Sequence, residues 1–272
     1  MKIAYLMNGV IGGLSGKNYE YNDLDIRSEI IKYTSYTHNH LLNNDVEIDY
    51  FIFSWEPNLE KYYIELYQPK NIISKNQIKF NMPDHYKDYT ENSRIQAHYS
   101  RWYGAQQVLN MFLDYKNTNN ISYDLVINAR LDLCFHHNIN FLNFENTKFH
   151  IAKPINLPNY NWPNNNEMID HIFASSETNM IQFLNLFDYL NEYTKPGECP
   201  RWKLISNHFL TVWHLKKINL LRQDIINQSF SLIDEGFNLN TDYHIFRYEN
   251  LTANQLIQRN NELYRNTPMG QI

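Results

Sequence analysis

The 272 residues of the chain allow one large α/β domain or two small ones. Hydrophobic residues at 43% and charged residues at 19% exclude an intrinsically disordered chain. A net charge of -5 and a pI near 6.1 argue against nucleic acid as a partner, because gripping a phosphate backbone needs a concentrated basic face.

Lys2 to Met7 (KIAYLM) is an apolar run ending in Asn8-Gly9, which predicts a buried first strand entering a glycine-rich loop with Gly12, Gly13 and Gly16. Asp23 or Asp25 can cap a helix in which Ile30, Thr34, Thr37 and Leu41 share one face. Ile48 to Trp55 reads as a second strand, and Asn71 to Phe80 contains a weaker third. After a polar stretch from Met82 to Ser93, the spacing of Trp102, Ala105, Val108 or Leu109, Phe112 and Tyr115 predicts a long amphipathic helix. Leu125 to Ala129 and Phe149 to Lys153 read as strands, the latter leading into a loop with Pro154, Pro158 and Pro163. Ser175 or Ser176 can cap a helix carrying Met180, Leu184 and Phe187. Another helix is predicted near Pro200, with Leu204, Ile205, His208, Phe209 and Val212 in register. Leu220 and Leu221 suggest a late strand, and Thr252 to Gln255 form a capping box opening a last helix that ends near Arg265.

Strands alternating with helices predict a single α/β domain over 1–272, with a mostly parallel central sheet flanked by helices. The two cysteines, Cys134 and Cys199, are too few for a disulfide framework and suit a reducing compartment. No stretch approaches the roughly 18 apolar residues of a membrane span, and the N-terminal run is a poor signal peptide, so a cytoplasmic protein is expected.

The sharpest chemical pattern is Tyr123 to Phe135 (YDLVINARLDLCF), where a buried strand turns into Asn128, Arg130 and Asp132 at period two. All three project to one side. Ligand crevices of open α/β sheets lie at the carboxyl ends of strands, where a cation and a carboxylate can meet a diphosphate and a metal or sugar hydroxyl. The plainer explanation is an Arg130–Asp132 surface ion pair. The glycines after the first strand, Gly9, Gly12 and Gly13, let backbone amides approach a diphosphate. On the long helix, Tyr99, Tyr103, Gln106 and Asn110 form a second stripe that could line a crevice or simply face solvent. Glu167 and Asp170 offer carboxylates for deprotonating an acceptor, and Tyr160 and Trp162 could form an acceptor platform. His38-Asn39-His40 spells HNH, but i and i+2 do not share a helix face, so a nuclease site is rejected.

The stretch Ser100-Arg101-Trp102-Tyr103, followed by YDLVINARLDL at 123–133, resembles a group of bacterial and giant-virus glycosyltransferase-like proteins. The likeness extends to KIAYLMNG, to Asp49 through Trp55, and to Met168 through Ser176 (MIDHIFASS). It implies a GT-A-like fold, with a donor-binding part over about 1–135 and an acceptor-side part with the C-terminal helices over about 136–272. The resemblance implies nucleotide-sugar binding by Asn8, Gly9, Gly12, Gly13, Arg27, Tyr103, Gln106, Asn128, Arg130 and Asp132. It also implies Asp170 or Glu167 as catalytic carboxylate, and Asp132 with the late His244 as ligands of a Mn2+ or Mg2+ ion. Its Arg-x-Asp stands where an Asp-x-Asp motif holds the metal and donor diphosphate, and Asn128 stands where an arginine is common. The expected activity is transfer of a sugar from a nucleotide donor to a hydroxyl of a glycan or glycoprotein. Two other readings stay open: a carbohydrate-binding or assembly protein on a degenerate glycosyltransferase fold, and a short GT-B or other Rossmann nucleotide-binding enzyme.

Overall fold

The computed structural model describes residues 1–11, 27–41, 45–86, 92–135, 139–152, 168–199, 206–222, 224–227, 243–245 and 258. In chain order the elements are β1 (Lys2–Gly9), α1 (Arg27–Leu41), β2 (Glu47–Ser54), α2 (Glu60–Tyr67), β3 (Asn71–Ser74) and α3 (Asn92–Asn119). They continue with β4 (Leu125–Arg130), β5 (Leu133–Phe135), β6 (Phe149–Ile151), β7 (Ile172–Ser175), α4 (Glu177–Leu184) and α5 (Leu186–Tyr193). The last are α6 (Asn207–Lys217), β8 (Ile226–Asn227) and β9 (Tyr243–Ile245).

Seven strands form one sheet in the order β3-β2-β1-β4-β7-β6-β8, and β5 pairs with β9 in a separate two-stranded sheet. All pairings in the large sheet are parallel except those of β7, which runs against both β4 and β6. The protein is therefore α/β, with a mixed and mostly parallel sheet flanked by helices.

β1 and β4 are apolar on both sides because helices cover both faces. Ile3, Tyr5 and Met7 join Leu125, Ile127 and Ala129 in the core beneath α1 and α2. The alternate residues Ala4, Leu6 and Val126 face α3, where Trp102, Ala105, Val108, Leu109 and Phe112 fill the other core. Burying each such large side chain contributes about 1.5–3 kcal/mol. Gly104 sets how closely α3 lies on the sheet: a Cβ there would stand 3.1 Å from both Asn8 Nδ2 and Phe53 Cδ1.

The chain leaves β1 toward β2 on one side and later places β4 on the other, so the strand order reverses between β1 and β4. A crevice opens outside the carboxyl ends at such a reversal. Because β7 is antiparallel, its beginning, and not its end, reaches the same edge, with Arg130 N–H donating to the His171 carbonyl at 3.1 Å. Asn8, Arg130 and the Asp170-His171 pair are thereby brought to one rim.

Three expectations change. Leu220 and Leu221 are not a strand: their N–H groups both donate to the Leu215 carbonyl, closing α6 around Asn219 in the left-handed conformation at φ 58°. The late strand is β8 instead, from a segment too short and polar to announce itself. The helix expected through Phe187 is two helices meeting at Asn185, and Ser176 caps the first by accepting from Asn179 N–H. α2 and the short strands β5, β7 and β9 were not anticipated. The proline-rich loop and the start of the helix near Pro200 lie outside the described residues, as does the last helix apart from Gln258. No helix among the described residues is long and apolar enough to cross a membrane.

Candidate functional site

At the carboxyl end of β1 and β4, Asn8 and Asn128 continue the row of Ala4, Leu6 and Val126 that faces α3. Both are fully buried, a position that demands hydrogen-bond partners. Asn128 Nδ2 donates to the Leu6 carbonyl and to Asn8 Oδ1, each at 3.0 Å. Asn8 Nδ2 donates to the Arg101 carbonyl at 3.1 Å. Arg101 enters from α3 and donates through Nη1 to Asn8 Oδ1 at 2.8 Å and through Nη2 to Asn128 Oδ1 at 3.3 Å. Its Nη2 also donates to the Asp170 carbonyl at 3.2 Å. Burial lowers the Arg101 pKa to about 10, partly offset by Asp170, so the guanidinium stays charged at neutral pH. Its Nε makes no hydrogen bond to the described residues and lies 3.9 Å from Asp170 Oδ2.

Arg130, the last residue of β4, forks onto Asp132: Nε meets Oδ1 at 2.7 Å and Nη2 meets Oδ2 at 2.6 Å. The Asp132 side chain is 4% exposed and that of Arg130 17%, so this pair is set into the rim and is not a loose surface contact. Asp170 is also buried, with Oδ1 3.1 Å from His208 Nδ1 at the start of α6. Burial alone would raise the Asp170 pKa, but His208, His171, Arg130 and Arg101 outweigh it and hold the carboxyl well below its ordinary range. His171, by contrast, is pushed down to about 3 by burial and is neutral at physiological pH.

The remaining expected site residues fall in several places. Gly9 adopts φ 128°, a conformation suited to glycine, and its carbonyl accepts from Trp55 N–H at 3.1 Å. Arg27 pairs with Glu56 at 3.2 Å, and Glu56 also accepts from Ile11 N–H at 2.5 Å, so Arg27 braces the segment after β1. Tyr103 accepts from Lys75 Nζ at 2.8 Å and stacks on Trp55, while Gln106 donates to Asp188 of α5 at 2.7 Å. Tyr99 donates to Asn191 of α5 at 2.6 Å, and Asn110 is exposed. The polar stripe of α3 thus docks on α5 and the end of β3 and does not line the Asn8–Asn128–Arg101 network. His244 lies on β9 opposite Cys134. Gly12, Gly13, Tyr160, Trp162 and Glu167 lie outside the described residues.

A divalent cation needs several oxygen or nitrogen ligands converging on one point. Among the described residues no three His, Cys, Asp or Glu side chains do so, and both Asp132 oxygens are already taken by Arg130. The described donor set does not fit the expected ion. His38 of the HNH triplet is buried among the rings of Tyr5, Tyr67 and Phe135, a core histidine.

Sequence reading placed Arg101 only within a motif and His208 only on an apolar helix face. The signals were present: an arginine beside the core residue Trp102, three positions before Gly104, and a histidine within an otherwise apolar stripe. No family model matches the chain, and no curated protein matches it.

Proposed function

We propose that the protein is a GT-A-like glycosyltransferase, moving a sugar from a nucleotide-sugar donor to a hydroxyl of a glycan or glycoprotein. The observation that carries this reading is the pair of guanidinium groups, Arg101 and Arg130, held beside Asp132 and Asp170 at the crevice end of β1 and β4. Burying charge is costly and does little for stability that an apolar cluster could not do, so such a cluster points to chemistry.

As the bond between sugar and diphosphate breaks, negative charge grows on the departing diphosphate. Cations fixed in place before the reaction stabilise that charge without having to reorganise. Asp132 fixes the plane of the Arg130 guanidinium, and the Asn8–Asn128 pair does the same for Arg101. Asn128 is neutral, yet Arg101 supplies a charge beside it. No step is routed through a metal ion.

A carbohydrate-binding role without turnover is the second reading, favoured by the closed Arg130–Asp132 fork. Thermal unfolding with UDP-, GDP- and dTDP-sugars and their nucleoside diphosphates, each with and without Mn2+ or Mg2+, separates the two. Transfer predicts a raised midpoint with one nucleotide, lost in Arg130→Ala and Asp132→Ala. Glycan binding with no nucleotide shift favours the second reading.

A further inference from the structure

The geometry points to His208 as the group that takes the proton from the acceptor hydroxyl, with Asp170 positioning its ring. This rests on the glycosyl-transfer reading and names the proton acceptor of the same site. Asp170 was the carboxylate expected in that role, but its side chain is only 4% exposed, whereas that of His208 is 37% exposed. Of the two, only His208 offers an incoming hydroxyl an open surface, and a general base must lie within reach of the proton it removes.

The ring is held from several sides. Ser206 caps α6 by accepting from Phe209 N–H at 3.1 Å, and Asn207 Oδ1 meets His98 Nδ1 of α3 at 2.9 Å. His208 Nδ1 lies 2.9 Å from the Met168 carbonyl and 3.1 Å from Asp170 Oδ1, with Asp170 N–H farther away at 3.2 Å. Two oxygens, one of them an ionised carboxylate, outweigh one amide N–H, so the tautomer assigned is Nδ1–H. The lone pair is then on Nε2, which makes no hydrogen bond to the described residues. A carboxylate behind an imidazole fixes its tautomer and stabilises the imidazolium that forms when it accepts a proton. The titratable groups that the structure places against the ring are Asp170 and His171, both just before β7. His171, whose ring centroid is 6.2 Å away, adds no charge at neutral pH.

In the step itself the hydroxyl proton passes to His208 Nε2 as the hydroxyl oxygen bonds to the anomeric carbon. The bond from that carbon to the phosphate oxygen breaks, and its electron pair leaves with the nucleoside diphosphate beside Arg101 and Arg130. The proton then passes from the imidazolium to solvent. A single displacement of this kind inverts the anomeric configuration.

The test uses the full chain and the same panel of nucleotide sugars, with water as acceptor and nucleoside diphosphate release as readout. His208→Gln is expected to lower kcat by about 10²–10⁴-fold while leaving donor KM and the nucleotide-induced midpoint shift unchanged. Added imidazole restores part of kcat to His208→Ala, which a merely structural role would not allow. In the wild type, nitrogen NMR of the ring places its proton on Nδ1. A His208→Gln rate within about threefold of wild type, or a wild-type ring protonated on Nε2 alone, overturns the role while leaving the transfer reading intact. Wild-type protein that cleaves no donor overturns both.

Discussion

Arg101 Nη1 and Asn8 Oδ1 lie 2.8 Å apart, joining α3 to the end of β1 across 93 residues of sequence. That bond is one of three by which the guanidinium ties β1, β4 and the segment before β7 together.

Arg101→Met is therefore expected to cost about 3–5 kcal/mol, because it removes one member of a buried charged pair and strands two amides. Urea unfolding measures this as a lowered midpoint at unchanged slope. Arg101→Lys recovers only part of it, since an ammonium cannot present a planar fork to Asn8 and Asn128 together. A midpoint equal to wild type in Arg101→Met would remove the network from the account of stability.

Acid stability has a separate origin in the core. Burial pushes both His38 and His214 down to about 4 from an unfolded value of 6.5. Between those values the unfolded chain binds more protons, so the stability these neutral rings contribute is fully present above about pH 6.5 and is lost as pH falls toward 4. Each contributes on the order of 3 kcal/mol across that window. His38→Gln is expected to flatten the fall in urea midpoint between about pH 7 and pH 4.5. Parallel wild-type and variant curves would exclude His38 as a source.

Gly104→Ala sets helix preference against close packing. Alanine favours the helix by up to about 1 kcal/mol, but the added methyl presses on Asn8 Nδ2 and Phe53, both fully buried and unable to give way cheaply. Net destabilisation of about 1–2 kcal/mol is expected. Because the pressure falls on Asn8, the midpoint shift that the proposed transfer reaction predicts with a nucleotide should weaken as well, whereas Ala105→Gly should lower stability and spare it.

How far the sequence speaks depends on how local the cause is. β1, β2 and β4 are legible because strands buried on both faces must be runs of apolar residues, and α3 because its core face repeats every turn. β7 and β8 are not, being four residues and two held by their neighbours in the sheet. At the site, Arg130 and Asp132 are neighbours in sequence and their pairing could be anticipated. Arg101 with Asn128, or Asp170 with His208, meet only because Gly104 lets α3 settle on the sheet and because β7 reverses direction. The stripe of Tyr99, Tyr103 and Gln106 misled for the same reason: helical spacing reveals a face but not what covers it, here α5.

The pairing of β5 with β9 joins residues 133–135 to residues 243–245. Closing so long a loop costs little more at equilibrium than closing one half its length, about 0.6 kcal/mol, but distant pairings form slowly. Assembly of the protein is thereby given an order. The β1–β2 and β2–β3 ladders can form early, while the flank just beyond Asp132 waits for a part of the chain synthesised more than a hundred residues later. A nascent chain thus has the β1–β2–β3 part of its sheet long before it has the strand that pairs with β5.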